Sequence, residues 1–197
     1  MASPLHYLDD PETHARERAE FLAAAMELLG QSGSVDLQVA AVVRQAGKHN
    51  AGFYRIFGAK EGLILAVVEE AARRTAAAVV RRMGGAKTPQ EAVRAWATVL
   101  LGLAAADPSL GVHAIALDRY RLLRRFPDAD ATIADPLRRP LAEVLRSSGR
   151  PRPEQLAEAA FELVLSRQAS WIALGHRPTA RQIRTYADLT VRLVGLA

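Results

Sequence analysis

Residues 36–60 gather side chains suited to holding a polyanion. Arg44, Lys48, Arg55 and Lys60 stand there against Asp36 alone, a net charge of +3, while residues 1–60 as a whole carry −1. A surface that faces phosphates needs such a local surplus of cations, whatever the overall charge of +5 signifies. His49, Asn50, Ala51 and Gly52 lie between the cations. The Asn50 amide offers a donor and an acceptor that match the edge of adenine in a major groove. Gly52, having no side chain, lets a backbone come close. A solvated helix face explains Arg44 and Arg55 equally well, because exposed arginines are common on any helix.

The elements around this segment read as helices. Phe21, Leu22, Ala25, Leu28 and Leu29 recur at spacings of three and four, which predicts an amphipathic helix from Glu12 to about Leu29, stopped by Gly30, Ser32 and Gly33. A short helix is expected over Val39–Ala46, then a tight turn at Gly47, then a third helix from His49 to Ile56 burying Phe53 and Phe57. A long helix, a short one, a tight turn and another short one form a tri-helical helix-turn-helix, whose last helix enters a major groove.

Helical signals continue to the end of the chain. A long helix is predicted over Lys60–Met83. Thr88-Pro89-Gln90-Glu91 supplies a cap, a proline at the first helical position and a capping-box glutamate for the next, which ends near Ala106. Asp107-Pro108 starts another, carrying Leu110, Ile115 and Leu117 and closed by Phe126-Pro127. Thr132–Ser147 is expected to be kinked or broken by Pro136 and Pro140. Pro153–Leu174 and a helix opened by Thr179 and Gln182 finish the chain. The expected fold is all-α: a helix-turn-helix head over 1–58 and a helical regulatory and dimerisation domain over 59–197.

The run from Ala46 to Leu63, with its Ala-Gly turn, Tyr54-x-x-Phe57 and the Lys60-Glu61 pair opening a helix, resembles the N-terminal domain of the TetR (tetracycline-repressor) family. The resemblance spans about Arg16 to Val68. It departs from the family pattern at Lys48, Ala51, Gln38 and Ala59, the last two at places where Ser or Thr is usual. It implies that Tyr54 and Lys60 contact phosphates and that His49, Asn50, Ala51 and Gly52 approach base edges. With Arg44 and Arg55 these make the expected DNA-binding set. It also implies a ligand-responsive repressor acting on double-stranded operator DNA, released by a small-molecule effector and working as a homodimer. A small-molecule-binding helical protein without sequence-specific recognition, or an all-helical scaffold, is the alternative.

No enzyme is expected. The sequence has no phosphate-binding Gly-x-x-x-x-Gly-Lys-Ser/Thr loop, no His-Glu-x-x-His and no Gly-x-Ser-x-Gly elbow. Cysteine is absent, which excludes disulfides and thiolate metal sites, and no cofactor is implied. The first residues lack a basic stretch followed by an apolar run, and no apolar stretch is long enough to span a bilayer, so a cytoplasmic location is expected. Trp96, His113, Tyr120, Trp171 and Tyr186 are the candidates for an effector pocket, although the same residues suit a core. Arg119, Arg121, Arg124 and Arg125 form a basic run that suits either an anionic ligand or a solvated surface. Leu163, Val164, Trp171, Tyr186, Leu189 and Leu193, on the last two helices, are the candidates for a dimer seam.

Overall fold

A computed structural model of the chain describes residues 11–107 and 111–196, apart from the side chains of Tyr120 and Leu123. It is all-α. The helices are α1 (Pro11–Ser32), α2 (Val39–Gln45), α3 (Asn50–Phe57), α4 (Lys60–Met83), α5 (Pro89–Gly102), α6 (Val112–Arg125), α7 (Asp130–Ile133), α8 (Asp135–Ser147), α9 (Pro153–Ala173) and α10 (Ala180–Leu193). Short 3-10 turns, Leu103–Ala105 and Pro127–Ala129, extend α5 and precede α7.

Local chemistry explains most boundaries. The Thr88 hydroxyl accepts from the Glu91 amide, and Thr179 and Gln182 form a reciprocal capping box. The 132–147 region is broken, as its prolines require, but at Ala134; Pro136 then sits in the first turn of α8 and Pro140 lies inside it. Two boundaries differ from expectation. Gly30 lies inside α1, which runs on to Ser32, and Gly33 at φ 65° makes the stop. The helix expected at Asp107-Pro108 starts instead at Val112 after Gly111, while Pro108 and Leu110 lie outside the described residues.

The buried side chains form two clusters. The first joins Phe21, Leu29, Val42, Phe53, Leu63 and Ile64, with Phe21 meeting Phe53 and Phe57 edge-on at 5.8 and 5.9 Å. The second joins Trp96, Leu100, Leu101, Leu141, Leu145 and Phe161. α4 feeds both, through Leu63–Val68 at its start and Val79 near its end. α6 sends Ala114 and Leu122 into the first cluster. Two buried side chains there donate to backbone carbonyls. The Trp96 indole N–H donates to the Leu137 carbonyl at 2.8 Å, and the Gln168 amide to the Leu100 carbonyl at 3.0 Å.

On α4, Arg73 and Arg74 donate to the Glu70 carboxylate at 2.8 and 2.6 Å, the Arg73 contact chiefly lowering its pKa from 4.5 to about 2. A carboxylate depressed in the folded state stabilises it above the unfolded pKa and loses that effect as pH falls towards the folded one. Glu70→Gln should therefore cost roughly 1 kcal/mol at neutral pH, since both arginines are exposed and screened. It should also flatten the decline of stability between about pH 5 and 2. Urea titrations across that range provide the measurement; an unchanged acid limb would remove Glu70 from it.

Candidate nucleic-acid interface

α3 is held by its apolar side. Phe53 is fully buried, Ile56 and Phe57 pack beside it, and the opposite side is solvent-facing. Asn50, Ala51 and Tyr54 are exposed on that outer side, and His49, the residue before the helix, is exposed as well. Tyr54 is 54% exposed although its ring meets Phe53 edge-on at 5.2 Å, so the core fixes the ring and leaves the hydroxyl outside. Gly47, at φ 62°, makes the turn from α2. Arg44 is exposed at the end of α2.

Three of the cations are ion-paired within the head. Lys48 meets Glu20 at 2.6 Å, Arg55 pairs with Glu17, and Lys60 pairs with Asp36. The Lys60 ammonium holds the Asp36 carboxyl below its usual range. Arg55 is thereby drawn towards α1. Gly52 faces the same Glu17 carboxylate, which a β-carbon there would crowd, so this glycine makes room for α1 as well as for any partner. Gly62, in the first turn of α4, has an equivalent role that the spacing of the sequence did not signal: a β-carbon would strike the Phe57 carbonyl.

The α2, α3 and α4 helices also begin without side-chain caps. Gln38 precedes α2, His49 precedes α3 and Ala59 precedes α4, and none caps the helix it introduces, unlike Thr88 and Thr179. Uncapped N-termini leave backbone N–H groups and the positive end of the helix dipole available to an anion. The positions expected from the sequence to lack a Ser or Thr cap are thus cap positions in the fold.

An anion approaching Lys60 competes with Asp36. Lys60→Ala and Tyr54→Phe should weaken specific and nonspecific DNA binding alike, with the salt slope reduced by about one unit for Lys60→Ala. Asp36→Asn should do the opposite, raising affinity several-fold at low salt. Fluorescence anisotropy over a salt series measures both; unchanged affinities would show that Lys60 does not face DNA.

The second structural feature is a cavity of about 110 Å³ between α4, α6 and α9, closed below by α7 and α8. Its wall is largely aliphatic, with Ala71, Ala72, Ala116, Leu137 and Ala169 prominent. Trp96, His113, Trp171 and Tyr186 do not line it. Trp96 is fully buried between α5 and α8, and the His113 ring lies 3.0 Å from the Leu103 carbonyl. Trp171 and Tyr186 pack edge-on at 5.3 Å, with Arg167 over the Tyr186 ring, and so tie α9 to α10. The Tyr120 side chain lies outside the described residues. Within the basic run, Arg119 pairs with Glu162, Arg121 with Asp118 and Arg125 with Glu61.

The third feature is an exposed apolar surface at the end of the chain. Leu163, Leu189 and Leu193 are 41–45% exposed, and Leu174, in the turn between α9 and α10, is 78% exposed. Val164 and Trp171, expected at the same seam, are buried in the core of their own subunit and present nothing to a second chain. Adjacent positions on a helix point in different directions, so Leu163 faces outwards where Val164 faces in. Tyr186 is half-buried beside Trp171.

Among the described residues no group of three or more His, Asp or Glu is placed to hold a metal ion, and no helix is long and apolar enough to cross a membrane. Residues 21–67 match the family described as "Bacterial regulatory proteins, tetR family". The HTH-type transcriptional regulator BetI of Brucella anthropi is 35% identical over 78 residues, which are 40% of this chain and 40% of BetI. The chain thus spans well under half the length of that curated relative. Two solved structures share the fold over nearly the whole chain. A TetR-family regulator from Mesorhizobium loti superposes with a TM-score of 0.70 at 18% identity, covering 92% of this chain and 96% of its own. FadR from Bacillus subtilis, solved in complex with stearoyl-CoA, gives 0.71 at 17% identity, covering 91% and 98%.

Proposed function

Since this chain belongs, through its N-terminal head, to the TetR family of transcriptional regulators, we propose that it is a ligand-responsive repressor that binds operator DNA as a homodimer and leaves it when an effector occupies the α4–α6–α9 cavity. One observation carries the reading: α6 has a side in each half of the molecule. Ala114 packs in the core of the head, Val112, Ala116 and Arg119 line the cavity, and Leu122 does both. The start of α6 also bears on α1, where Gly111 lies close enough that an added β-carbon would be 2.8 Å from the Met26 carbonyl. A molecule that displaces α6 from within the cavity must therefore move the head or break these contacts. Packed interiors respond to such displacement by switching arrangement rather than by yielding gradually.

Recognition falls to the outer side of α3. Asn50 reads a base edge, Ala51 and Gly52 allow close approach, and Arg44, Tyr54, Arg55 and Lys60 hold the phosphates on either side. His49 sits at the entrance to the helix. The division into a head over 1–58 and a regulatory unit over 59–197 is a functional one, and α4 links the two as a continuous rod.

Selection of bound fragments from genomic DNA, with the wild type and Asn50→Ala in parallel, tests the reading. The wild type should enrich a palindromic sequence, and Asn50→Ala should relax preference at one position in each half-site by about 10-fold or more. Indistinguishable profiles would remove Asn50 from recognition, and no enrichment by the wild type would overturn sequence-specific binding. Linkage also requires that an effector which lowers operator affinity be bound less tightly by the DNA complex, by the same factor.

A further inference from the structure

The cavity wall restricts the chemistry of what it takes up; the inference below rests on reading this cavity as the effector site. Three observations bear on it. Ala71, Ala72, Ala116, Ile133, Leu137 and Ala169 give the wall its character, so most of the occupant's surface must be apolar. Among the described residues Arg119 is the one ionisable side chain in the wall, and its charge is already matched. Its guanidinium is held by both oxygens of the Glu162 carboxylate, with Nη1 to Oε2 at 3.1 Å, and lies 5.3 Å from the centre of the Phe161 ring. An anionic occupant would have to displace Glu162, and a cationic one would meet Arg119. The first exchange leaves Glu162 without its guanidinium and the second sets like charges together, so neither gains an ion pair.

The third observation is Gln168, which lines the cavity and is only 4% exposed. Its Nε2 donates to the Leu100 carbonyl at 3.0 Å, which fixes the orientation of the amide. No described residue donates to its Oε1. Of the two hydroxyls among the described lining residues, Thr75 Oγ1 donates to the Ala71 carbonyl at 2.9 Å, and Ser166 belongs to an exposed residue. The wall therefore presents an oriented acceptor on a buried side chain, and no described residue donates to it.

We propose that the cavity binds a small uncharged molecule, apolar over most of its surface, with a hydroxyl that donates to Gln168 Oε1: a simple phenol. The volume of about 110 Å³ is of the same order as the roughly 150 Å³ of an apolar cavity that takes up benzene, which sets the scale at one six-membered ring. The ring lies against the alanines of α4 and α6, and the hydroxyl points towards α9.

Calorimetric titration of the full chain with p-cresol, toluene, benzoate and benzyltrimethylammonium tests the assignment. The wild type should bind p-cresol about five- to tenfold more tightly than toluene, the worth of one buried hydrogen bond. Benzoate and the ammonium should bind at least about 100-fold more weakly than p-cresol. Gln168→Met keeps the bulk and removes the acceptor, so the p-cresol to toluene ratio should fall to about one. Ala72→Leu fills the cavity without touching Gln168 and should abolish binding of both neutral probes. Equal wild-type affinity for p-cresol and toluene, tighter binding of either ion, or no binding of p-cresol would each overturn the proposal. Operator binding measured on the same samples separates the two failures. Specific DNA binding without p-cresol binding overturns the ligand class alone, and p-cresol binding without specific DNA binding overturns the repressor reading alone.

Discussion

Leu189→Arg should convert a dimer into a folded monomer and lower operator affinity by about two to four orders of magnitude. Leu189 and Leu193 stand one turn apart on α10, 42% and 45% exposed, with Leu163 at 41% on α9 and Leu174 at 78% between the two helices. Large apolar side chains grouped in this way at the end of a chain suit burial against a second copy, as in four-helix packing across a two-fold axis. An arginine at such a seam places an unpaired charge there twice, once from each subunit, which is strongly unfavourable. The expected loss on DNA is larger than the damage to any single contact, because a dimer presents two heads and gains the effective concentration of the second. The subunit itself should remain folded, since position 189 is partly exposed within it. Val80→Arg, at a position 56% exposed on α4, is the matched control and should leave the dimer intact. Analytical ultracentrifugation across micromolar concentrations, with circular dichroism to verify folding, reads the outcome. A Leu189→Arg protein that stays dimeric would place the seam elsewhere.

Gly111→Ala should be strongly damaging for so conservative a change. Gly111 sits at φ 72°, where a side chain costs about 1–2 kcal/mol. An added β-carbon would also lie 2.8 Å from the Met26 carbonyl and 2.9 Å from the Leu29 β-carbon, and a backbone carbonyl inside α1 has little room to retreat. Overpacking of this kind adds about 1–3 kcal/mol. A total of roughly 2–5 kcal/mol should lower the melting temperature by about 4–20 °C for a chain of this size. Gly102→Ala is the control: nothing lies within 4 Å of its added β-carbon, so it should be neutral or mildly stabilising. The functional consequence is more specific than the loss of stability. The start of α6 would be pushed off α1, and the factor by which an effector lowers operator affinity should fall towards one. Calorimetry with and without DNA measures that factor. Full coupling in a destabilised Gly111→Ala protein would show that the α1–α6 contact supports the fold without transmitting the signal.

Much of the fold was legible because its signals are local. Thr88 and Thr179 with Gln182 announce helix starts through hydrogen bonds to residues three positions away, and the Lys60–Met83 helix has the predicted ends. Phe53 and Phe57 repeat at the interval that one side of a helix imposes, and both meet Phe21. The head was also recognisable from its motif, which falls within the residues that match the family. Proline broke the 132–147 region as expected, though the chain chose Ala134 as the break.

The rest depended on which distant groups packing brings together. A helical stripe records that a residue faces something apolar, not whether that is its own core, a cavity or another chain. Val164 and Leu163 illustrate this: neighbours in sequence, one closed inside the subunit and one open to solvent. Aromatic residues were the natural candidates for a pocket wall, yet Trp96, Trp171 and Tyr186 make good contacts and therefore fill space. The cavity lies where side chains stop short, beside Ala71, Ala72, Ala116 and Ala169, and alanines that leave a gap look in sequence like alanines that favour a helix. The pairing of Lys60 with Asp36, of Arg119 with Glu162, and the seating of Gly111 on α1 are likewise set by how whole helices dock. Sequence spacing fixed the helices and the outward side of α3, because these follow from contacts within a few residues. Tertiary structure alone decided the cavity, the ion pairs and the free apolar surface, because each is made or left open by atoms that the chain brings together from far apart.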